Sequence, residues 1–391
     1  MDPLDKDCLR QLDSLLIASN QAWLFGAGIS FTAGIPLMGP LTFRVVQLAE
    51  LDEDKRIKEV LNAVSAELPE GCHIEHILSQ LGDYAAIAER LKSKEVEIGG
   101  KIIKVDDLRV WHAKILTWIA KTIRWGYIPK NGGKPERIGT PESPIVSVDG
   151  HSAFVSALFN RSQAGVAERR RAVRMFTINY DTLIEDALSL GCFPYWDGFS
   201  GGAVAFRSHQ YGEDEPQAFY RAHVIKLHGS IDWHLGIDDR VWRIRDGDTY
   251  PERSTRVLIY PQSTKYLATQ RDPFAGQFDL FRRALASGEE NTVATCGYSF
   301  GDDHINQEIE LAMRLPTNCT TIIAFSAQLN AVLTKWQRMP WSKRLYVATE
   351  KGLFIGQEGP FFPPADGKSR DWWTLAGVTK LLSSGAEACI K

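Results

Sequence analysis

The sequence predicts an α/β protein with a doubly wound parallel sheet, and three observations support this fold class. Short apolar, β-branched runs alternate with helical segments beyond residue 150, as is typical of parallel sheets covered by helices on both faces. A strand, a glycine turn and a helix follow one another near the N-terminus. A long stretch of helical periodicity separates this unit from the later strands. We therefore expect the sheet to be interrupted by a helical insertion.

Composition excludes several classes of protein. The chain has 391 residues, 44% of them hydrophobic, and its 45 basic and 48 acidic residues leave a formal net charge of −3. A disordered or fibrous chain is excluded, and direct nucleic-acid binding is not expected because no global positive field exists. The N-terminus lacks the basic and apolar regions of a signal peptide, and no apolar run reaches the roughly 20 residues that span a bilayer. We expect a cytoplasmic protein without a membrane segment.

The predicted elements divide the chain into three parts. Residues 1–50 hold an N-terminal helix at 4–18 and the first strand with its glycine turn, and residues 51–150 form a helical insertion without strands, followed by an exposed loop. Residues 151–391 hold the rest of the sheet and a short C-terminal tail. Here we predict strands at 173–178, 223–227, 257–260, 292–296, 320–325 and 344–348, and helices at 182–190, 274–286, 303–315 and 329–339.

The glycine turn after the first strand has two interpretations. Its sequence is Gly26-Ala27-Gly28-Ile29-Ser30. Backbone amides without side chains can approach a pyrophosphate at the start of a helix. A tight turn between a strand and a helix also needs glycine for conformational reasons alone.

Polar residues follow two further predicted strands. Asp181 and Thr182 can cap the next helix, whereas Asn179 has no capping role and would face the crevice at the ends of the strands. There its amide would orient a hydroxyl group and a water. His228 ends the next strand and is suited to general-base catalysis, because the usual pKa of histidine lies near neutrality.

A second turn between a strand and a helix reads Gly297-Tyr298-Ser299-Phe300-Gly301. It matches the G-x-S-x-G elbow of α/β-hydrolases, in which the catalytic histidine follows the serine. The one later histidine, His304, lies five residues on in the adjoining helix, so the hydrolase interpretation lacks its base. We interpret the segment as a second turn that faces a nucleotide.

Three other groups of residues offer weaker signals. The six cysteines include no C-x-x-C pair, which excludes a zinc ribbon, and no metal is expected. Cys72, His73 and His76 have a spacing that could bind a metal, but they lie beside an ordinary apolar helix face. The arginines at 169–171 with Arg174 form a positive cluster that is most often a solvated face, although it could contact a partner or nucleic acid.

Taken in order, these motifs resemble the sirtuin superfamily, and specifically its bacterial antiphage-defence branch. The resemblance spans residues 20–310 and also includes Gly34-Ile35-Pro36 and the run from Lys226 to Ser230. It implies a Rossmann-like fold with a helical insertion and NAD as the substrate, whose glycosidic bond to nicotinamide is broken.

The resemblance also implies roles for individual residues. Asn179 and His228 would be catalytic, with His228 as the general base and Asn179, together with Asp181, holding the nicotinamide ribose and the attacking water. The pyrophosphate would lie on the first turn and the adenosine end on the second. The residues implied at these two places are Gly26, Ala27, Gly28 and Ser30, and Gly297, Tyr298, Ser299, Asp303 and Asn306.

Two departures from the family pattern bear on the reaction. Deacylating sirtuins have a four-cysteine zinc module, which this chain lacks, and an Asp-Phe-Arg after Gly-Ile-Pro, where this chain has Leu37-Met38-Gly39. Both departures favour plain NAD hydrolysis. ADP-ribosyl transfer, deacylation and a non-catalytic scaffold that binds NAD or ADP-ribose remain alternatives.

The resemblance finally implies a means of control, because an unrestrained NADase would kill its host. We expect NAD depletion during phage infection, gated by a homo-oligomer or by a partner subunit. Stand-alone proteins of this kind resemble those paired with a HerA-type hexameric ATPase.

Overall fold

A nine-stranded sheet forms the centre of the computed structural model, which describes residues 3–162, 171–216, 219–237, 240–245, 253–258, 272–365 and 367–390. Six of its strands are long and parallel. These six are β1 (Gln21–Phe25), β6 (Val173–Thr177), β10 (Ala222–Lys226), β14 (Asn291–Cys296), β15 (Thr320–Phe325) and β16 (Leu345–Thr349). A short parallel strand lies at one edge and two antiparallel strands at the other: β7 (Tyr195–Trp196), β17 (Gly352–Ile355) and β18 (Glu358–Phe361).

The order of the parallel strands is that of a doubly wound Rossmann fold. Across the sheet they run β16-β15-β14-β1-β6-β10. The chain therefore moves outward from β1 to β10, returns to the other side of β1 and continues to β16. Trp23 on β1 is in register with Ala294 on β14 and with Met175 on β6. Since ligands bind beyond the strand ends where this order reverses, the topology confirms the predicted fold class and points to the edge between β1 and β14.

Helices cover both faces of the sheet because successive side chains of each strand point to opposite faces. On β1, Trp23 and Phe25 belong to one apolar core and Ala22 and Leu24 to the other. The helices of these two layers, with the short α2 and α13, are α1 (Pro3–Leu16), α2 (Gly28–Phe31), α7 (Asp149–Ala157), α8 (Leu183–Leu190), α9 (Phe274–Leu285), α10 (Asp303–Met313), α11 (Ala331–Gln337), α12 (Leu375–Ser384) and α13 (Ala386–Ile390). Helices α1, α7, α8 and α12 contribute to the first core, and α9, α10 and α11 to the second.

The stretch between the first and second parallel strands holds four helices with a core of their own. They are α3 (Met38–Leu51), α4 (Arg56–Glu67), α5 (Ile74–Arg90) and α6 (Val105–Trp125). Their buried side chains pack together with Tyr180 and Leu183, which follow β6, and with Ile231. The insertion is thereby seated on the carboxyl edge of the sheet.

The prediction of no strand in this insertion is wrong. A hairpin of β2 (Glu95–Ile98) and β3 (Lys101–Lys104) lies between α5 and α6. Its turn is Gly99-Gly100, and both glycines have positive φ, 56° and 77°. Two central residues of positive φ make the turn that suits the twist of a two-residue hairpin. A second short pair, β4 (Tyr127–Ile128) and β5 (Arg137–Ile138), crosses the predicted loop.

A second sheet follows β7 and was not predicted. Its strands run in the order β13-β11-β12-β9-β8. They are β8 (Phe199–Gly201), β9 (Val204–Arg207), β11 (Gly229–Gly236), β12 (Val241–Ile244) and β13 (Arg253–Leu258). The strand predicted at 257–260 in the parallel sheet is instead the end of β13 in this antiparallel sheet, and its last two residues lie outside the described part of the chain.

The C-terminal tail is structured and joins the main body. It supplies β17 and β18 to the sheet edge, and α12 packs on α7. The Trp372 indole is buried and donates a hydrogen bond to the carbonyl of Thr349 at 2.6 Å. In the described ranges, no helix has the length and apolar character to cross a bilayer.

Candidate functional site

The two glycine turns pack directly on each other at the reversal of strand order. The amide of Gly26 donates to the carbonyl of Cys296 at 3.1 Å, and that of Gly28 to the carbonyl of Gly297 at 2.9 Å. A Cβ on Gly26 would lie 2.6 Å from the carbonyl oxygen of Gly297. Gly297 has a φ of +65°, and a Cβ there would lie 2.4 Å from the amide nitrogen of Ile29. These glycines are therefore needed for the close approach of the two turns.

A cleft of about 850 Å³ opens beyond these turns. Its walls come from both glycine turns, from the residues after β6 and β10, and from the helical insertion. Nine of the residues implied by the resemblance line it: Ala27, Gly28, Ser30, Asn179, Asp181, His228, Gly297, Ser299 and Asp303. Three do not: Gly26, Tyr298 and Asn306.

Ser30, Asn179 and Asp181 form one hydrogen-bond network in this cleft. The Ser30 hydroxyl donates to Asp181 Oδ2 at 2.8 Å, and Asn179 Nδ2 donates to the carbonyl of Gly26 at 3.1 Å and to Ser30 Oγ at 3.2 Å. Asp181 Oδ1 accepts from the amide of Leu183 at 3.0 Å, as expected of a residue at the start of α8. The carbonyl oxygen of the Asn179 side chain is buried and has no hydrogen-bond partner among the described residues. Such an acceptor is costly unless a ligand or water satisfies it.

Tyr298 and Asn306 lie behind the second turn and hold its backbone. The Tyr298 hydroxyl is 3.0 Å from Asn306 Oδ1 and donates to the carbonyl of Asp302 at 3.2 Å. Asn306 Nδ2 donates to the carbonyl of Phe300 at 2.8 Å. Burial raises the pKa of Tyr298. The two side chains therefore act on the shape of the turn, whereas Ser299 is exposed at its surface.

His228 lies two residues beyond the end of β10 and is 6% exposed. Its Nε2 lies 3.1 Å from Nε2 of His304 at the start of α10, and the two rings are 5.2 Å apart at 22°. The carboxylate of Asp302 is close to both, so that one ligand atom from each of the three residues lies within 4.8 Å of the others. Sequence reasoning did not select Asp302 or His304 as site residues. The one available signal was their place next to the second glycine turn.

A group of buried and half-buried charges lies next to Asp181 in the wall of the cleft. Lys226 donates to the carbonyl of Asp181 and pairs with Glu185 at 3.3 Å, and Arg245 pairs with Asp232 at 3.3 Å. Burial raises the pKa of Glu185, an effect that Lys226 and Arg245 only partly offset. Burial also disfavours the charged form of Asp232, but Arg245 and Lys226 outweigh it and hold the pKa of this carboxyl below its usual value.

The insertion brings two further histidines to the cleft. His73 precedes α5, and its amide donates to Nδ1 of His76 at 3.2 Å, with the rings 4.0 Å apart. Both line the cleft together with Glu75, which accepts a hydrogen bond from the Tyr180 hydroxyl at 2.9 Å. Cys72 lies 3.5 Å from Ser65 Oγ. The two histidines thus help to begin a helix and form one wall of the site.

The arginine cluster lies partly outside the described residues, which begin again at Arg171. Arg171 pairs with Glu289 at 2.8 Å, and Arg174 pairs with Glu215 at 3.1 Å. These two positive charges are therefore matched within the chain.

The cleft is rich in acidic groups. Glu75, Asp181, Asp302 and Asp303 all line it, and none of the described residues that line it is a lysine or an arginine. An anionic ligand group would therefore be held by backbone amides rather than by basic side chains.

Part of this site lies in a segment that matches a known family model. Residues 173–335 match the family model of the SIR2-like domain. The matched segment runs from β6 into α11 and contains Asn179, Asp181, His228 and the second glycine turn. Among solved structures, a crystal structure of a Sir2 homolog–NAD complex covers 98% of this chain and 95% of its own, at 10% identity and a TM-score of 0.40. A comparison with curated proteins finds no match.

Proposed function

We propose that the cleft binds NAD and hydrolyses the bond between nicotinamide and ribose, releasing nicotinamide and ADP-ribose. The observation that carries the proposal is the juxtaposition of Asn179 and His228 after two neighbouring strands, in one cleft where the strand order reverses. The match of residues 173–335 to the SIR2-like domain supports the choice of ligand, because the sequence resemblance to sirtuins implies NAD.

The size of the cleft suits a dinucleotide. A volume of about 850 Å³ lies within the range of roughly 300–1,000 Å³ typical of small-molecule sites. The first turn, with Ala27 and Gly28, would receive the pyrophosphate on its backbone, and the second turn, with Ser299, would face the adenosine end. Asp181 and Asn179 would hold the nicotinamide ribose between them.

The hydrogen-bond network of Ser30, Asn179 and Asp181 holds in place the acceptor oxygen that the hydrolysis of NAD needs. Asn179 Nδ2 donates its hydrogen bonds to Gly26 and Ser30. The side-chain oxygen Oδ1, which has no partner among the described residues, can therefore accept a hydrogen bond from a ribose hydroxyl or a water. As nicotinamide leaves with the electrons of its bond, positive charge develops on the ribose, and water adds to the anomeric carbon. His228 takes the proton that the water loses. The products are nicotinamide, ADP-ribose and one proton.

Control of the activity is part of the proposal and rests on the sequence resemblance alone. We propose that the protein depletes NAD during phage infection, in the cytoplasm, and that a homo-oligomer or a HerA-type hexameric ATPase gates it. Light scattering of the protein alone and with the ATPase would measure both assemblies.

The test is NAD consumption with mass-spectrometric identification of the products, with and without a HerA-type ATPase. We expect nicotinamide and ADP-ribose, and a loss of rate of about 10²–10⁴-fold in His228→Ala, the usual contribution of a general base. His112→Ala is the matched control, since His112 lies on α6 and does not line the cleft.

Other outcomes would identify the alternatives. Label transferred from NAD to protein would indicate ADP-ribosylation, and an acylated ADP-ribose would indicate deacylation. Tight NAD binding without turnover under every condition would contradict the proposed reaction and favour a scaffold.

A further inference from the structure

Three potential metal ligands converge in the cleft from separate parts of the chain. His228 follows β10, His304 lies in the first turn of α10, and Asp302 precedes that helix. Their ligand atoms all lie within 4.8 Å of one another. All three residues line the cleft.

The spacing of the two imidazoles suits a tetrahedral ion. Their Nε2 atoms are 3.1 Å apart. Two nitrogens bound to zinc at 2.0–2.1 Å in tetrahedral geometry are separated by about 3.3 Å, so a small adjustment of either ring would place both on one ion.

Contacts with neighbouring residues hold Asp302 and His304 in place. The carbonyl of Asp302 accepts from the Tyr298 hydroxyl at 3.2 Å and from the amide of Asn306 at 3.0 Å. The buried ring of Phe278 lies 5.7 Å from the His304 ring. A site needs such support to keep its geometry.

The surroundings favour a cation, and the donors favour a particular kind. Four carboxylates line the cleft, and no lysine or arginine does so among the described residues. Imidazole nitrogens select zinc and similar transition metals, whereas magnesium and calcium prefer oxygen ligands. Two histidines and one carboxylate leave a fourth position open, as in catalytic zinc sites.

We propose that His228, His304 and Asp302 form a zinc-binding site, and that bound zinc switches the cleft off by occupying Nε2 of His228. The binding itself is independent of the proposed function, whereas the switch rests on it, because a nitrogen bound to zinc cannot accept a proton. The sequence predicted no metal, on the basis of the six cysteines and of Cys72, His73 and His76. The proposed site uses other residues and departs from that prediction.

The first experiment measures binding of the metal alone. Protein stripped with a chelator is dialysed against Zn²⁺, and bound zinc is counted by elemental mass spectrometry. We expect one zinc per chain, with affinity at least tenfold lower in His304→Ala and Asp302→Ala. Asp303→Ala, which changes an exposed neighbour outside the trio, should bind normally, and Mg²⁺ should not compete.

Substitution with Co²⁺ separates this site from the six cysteines. We expect a tetrahedral d–d absorption without a thiolate charge-transfer band, lost in His304→Ala. A thiolate band, or zinc bound equally by all the variants, would overturn the site.

The second experiment measures NAD loss with and without one equivalent of Zn²⁺, each variant relative to its own metal-free rate. We expect at least a tenfold decrease, reversed by chelator and absent in His304→Ala. Zinc bound by His228, His304 and Asp302 without an effect on NAD turnover would overturn the proposed inhibition by zinc. Turnover without zinc binding would overturn the site and leave the proposed function intact. Zinc binding that is weakened in His304→Ala and Asp302→Ala, in a protein that does not turn over NAD, would support the zinc site and overturn the proposed function.

Discussion

The hydroxyl of Ser30 donates to the carboxylate of Asp181 at 2.8 Å, although the two residues are 151 positions apart. Ser30 follows β1 and Asp181 follows β6, and these strands are parallel neighbours. Their carboxyl ends therefore meet at one edge of the sheet. Asn179 joins the pair by donating to Ser30 Oγ, so the three polar side chains form one unit in the wall of the cleft.

Loss of the Ser30 hydroxyl should destabilise the fold measurably. Ser30 is 1% exposed, and Ser30→Ala removes the donor to Asp181 and the acceptor for Asn179. Leaving buried polar groups unpaired costs about 1–3 kcal/mol. Urea denaturation should show this decrease in the free energy of unfolding. Ser299→Ala, at an exposed position, should change the free energy of unfolding by less than about 0.5 kcal/mol. Equal effects of the two substitutions would contradict a stabilising role of the Ser30 hydroxyl.

The contact between the two glycine turns should not tolerate a side chain. At Gly297 the left-handed conformation alone costs an alanine roughly 1–2 kcal/mol, and its Cβ would also lie 2.4 Å from the Ile29 nitrogen. We expect Gly297→Ala to lower the melting temperature strongly. Gly301→Ala is the control, because its Cβ would meet only the Ser299 hydroxyl at 3.3 Å. Similar melting temperatures for both variants would refute a packing role for Gly297.

Replacement of Lys226 alone should strongly reduce the free energy of unfolding. It is 2% exposed and pairs with Glu185, which is 4% exposed. Breaking a buried ion pair by removing one partner costs about 3–5 kcal/mol, whereas replacing both partners by apolar groups is often nearly neutral. Lys226→Met should therefore be much less stable than Lys226→Met/Glu185→Leu in thermal unfolding. An additive loss in the double variant would show that the two charges are not coupled.

Acid should destabilise the protein through the buried His223 and the half-buried His112. Burial lowers the pKa of His223 to about 4 and that of His112 to about 4, whereas an unfolded histidine titrates near 6.5. Between these values the unfolded chain binds protons that the folded chain does not, so stability falls as the pH falls. Each group contributes up to about 1.4 kcal/mol per pH unit.

Denaturation in urea from pH 7 to pH 4.5 would measure this slope. His223→Gln, which keeps a donor for the carbonyl of Pro216, 2.8 Å from Nε2 in the parent, should show a shallower decline. An unchanged slope would mean that His223 titrates alike in both states.

Sequence patterns predicted the parallel strands well because each strand is a short, mostly buried run of neighbouring residues, and all of them except β1 contain β-branched residues. The strands predicted at 292–296 and 320–325 lie within β14 (Asn291–Cys296) and β15 (Thr320–Phe325). The antiparallel second sheet was missed because three of its strands, β8, β9 and β12, have only three or four residues, and because β9 pairs with the distant β12, as in the pair Phe206 and Trp242. Its strand β11 begins at Gly229 and pairs with β12 and β13, and the local sequence does not specify that partnership.

The sequence by itself determined the fold class, the two glycine turns and the polar residues that end β6 and β10. Each depends on a few neighbouring residues, through periodicity, backbone freedom or a strand end. The tertiary structure alone decided which of those ends share a cleft, that Tyr298 and Asn306 lie behind it, and that His304 meets His228 across 76 positions of sequence. Such contacts depend on the closure of the whole sheet, because only the order of its strands brings distant side chains to one edge.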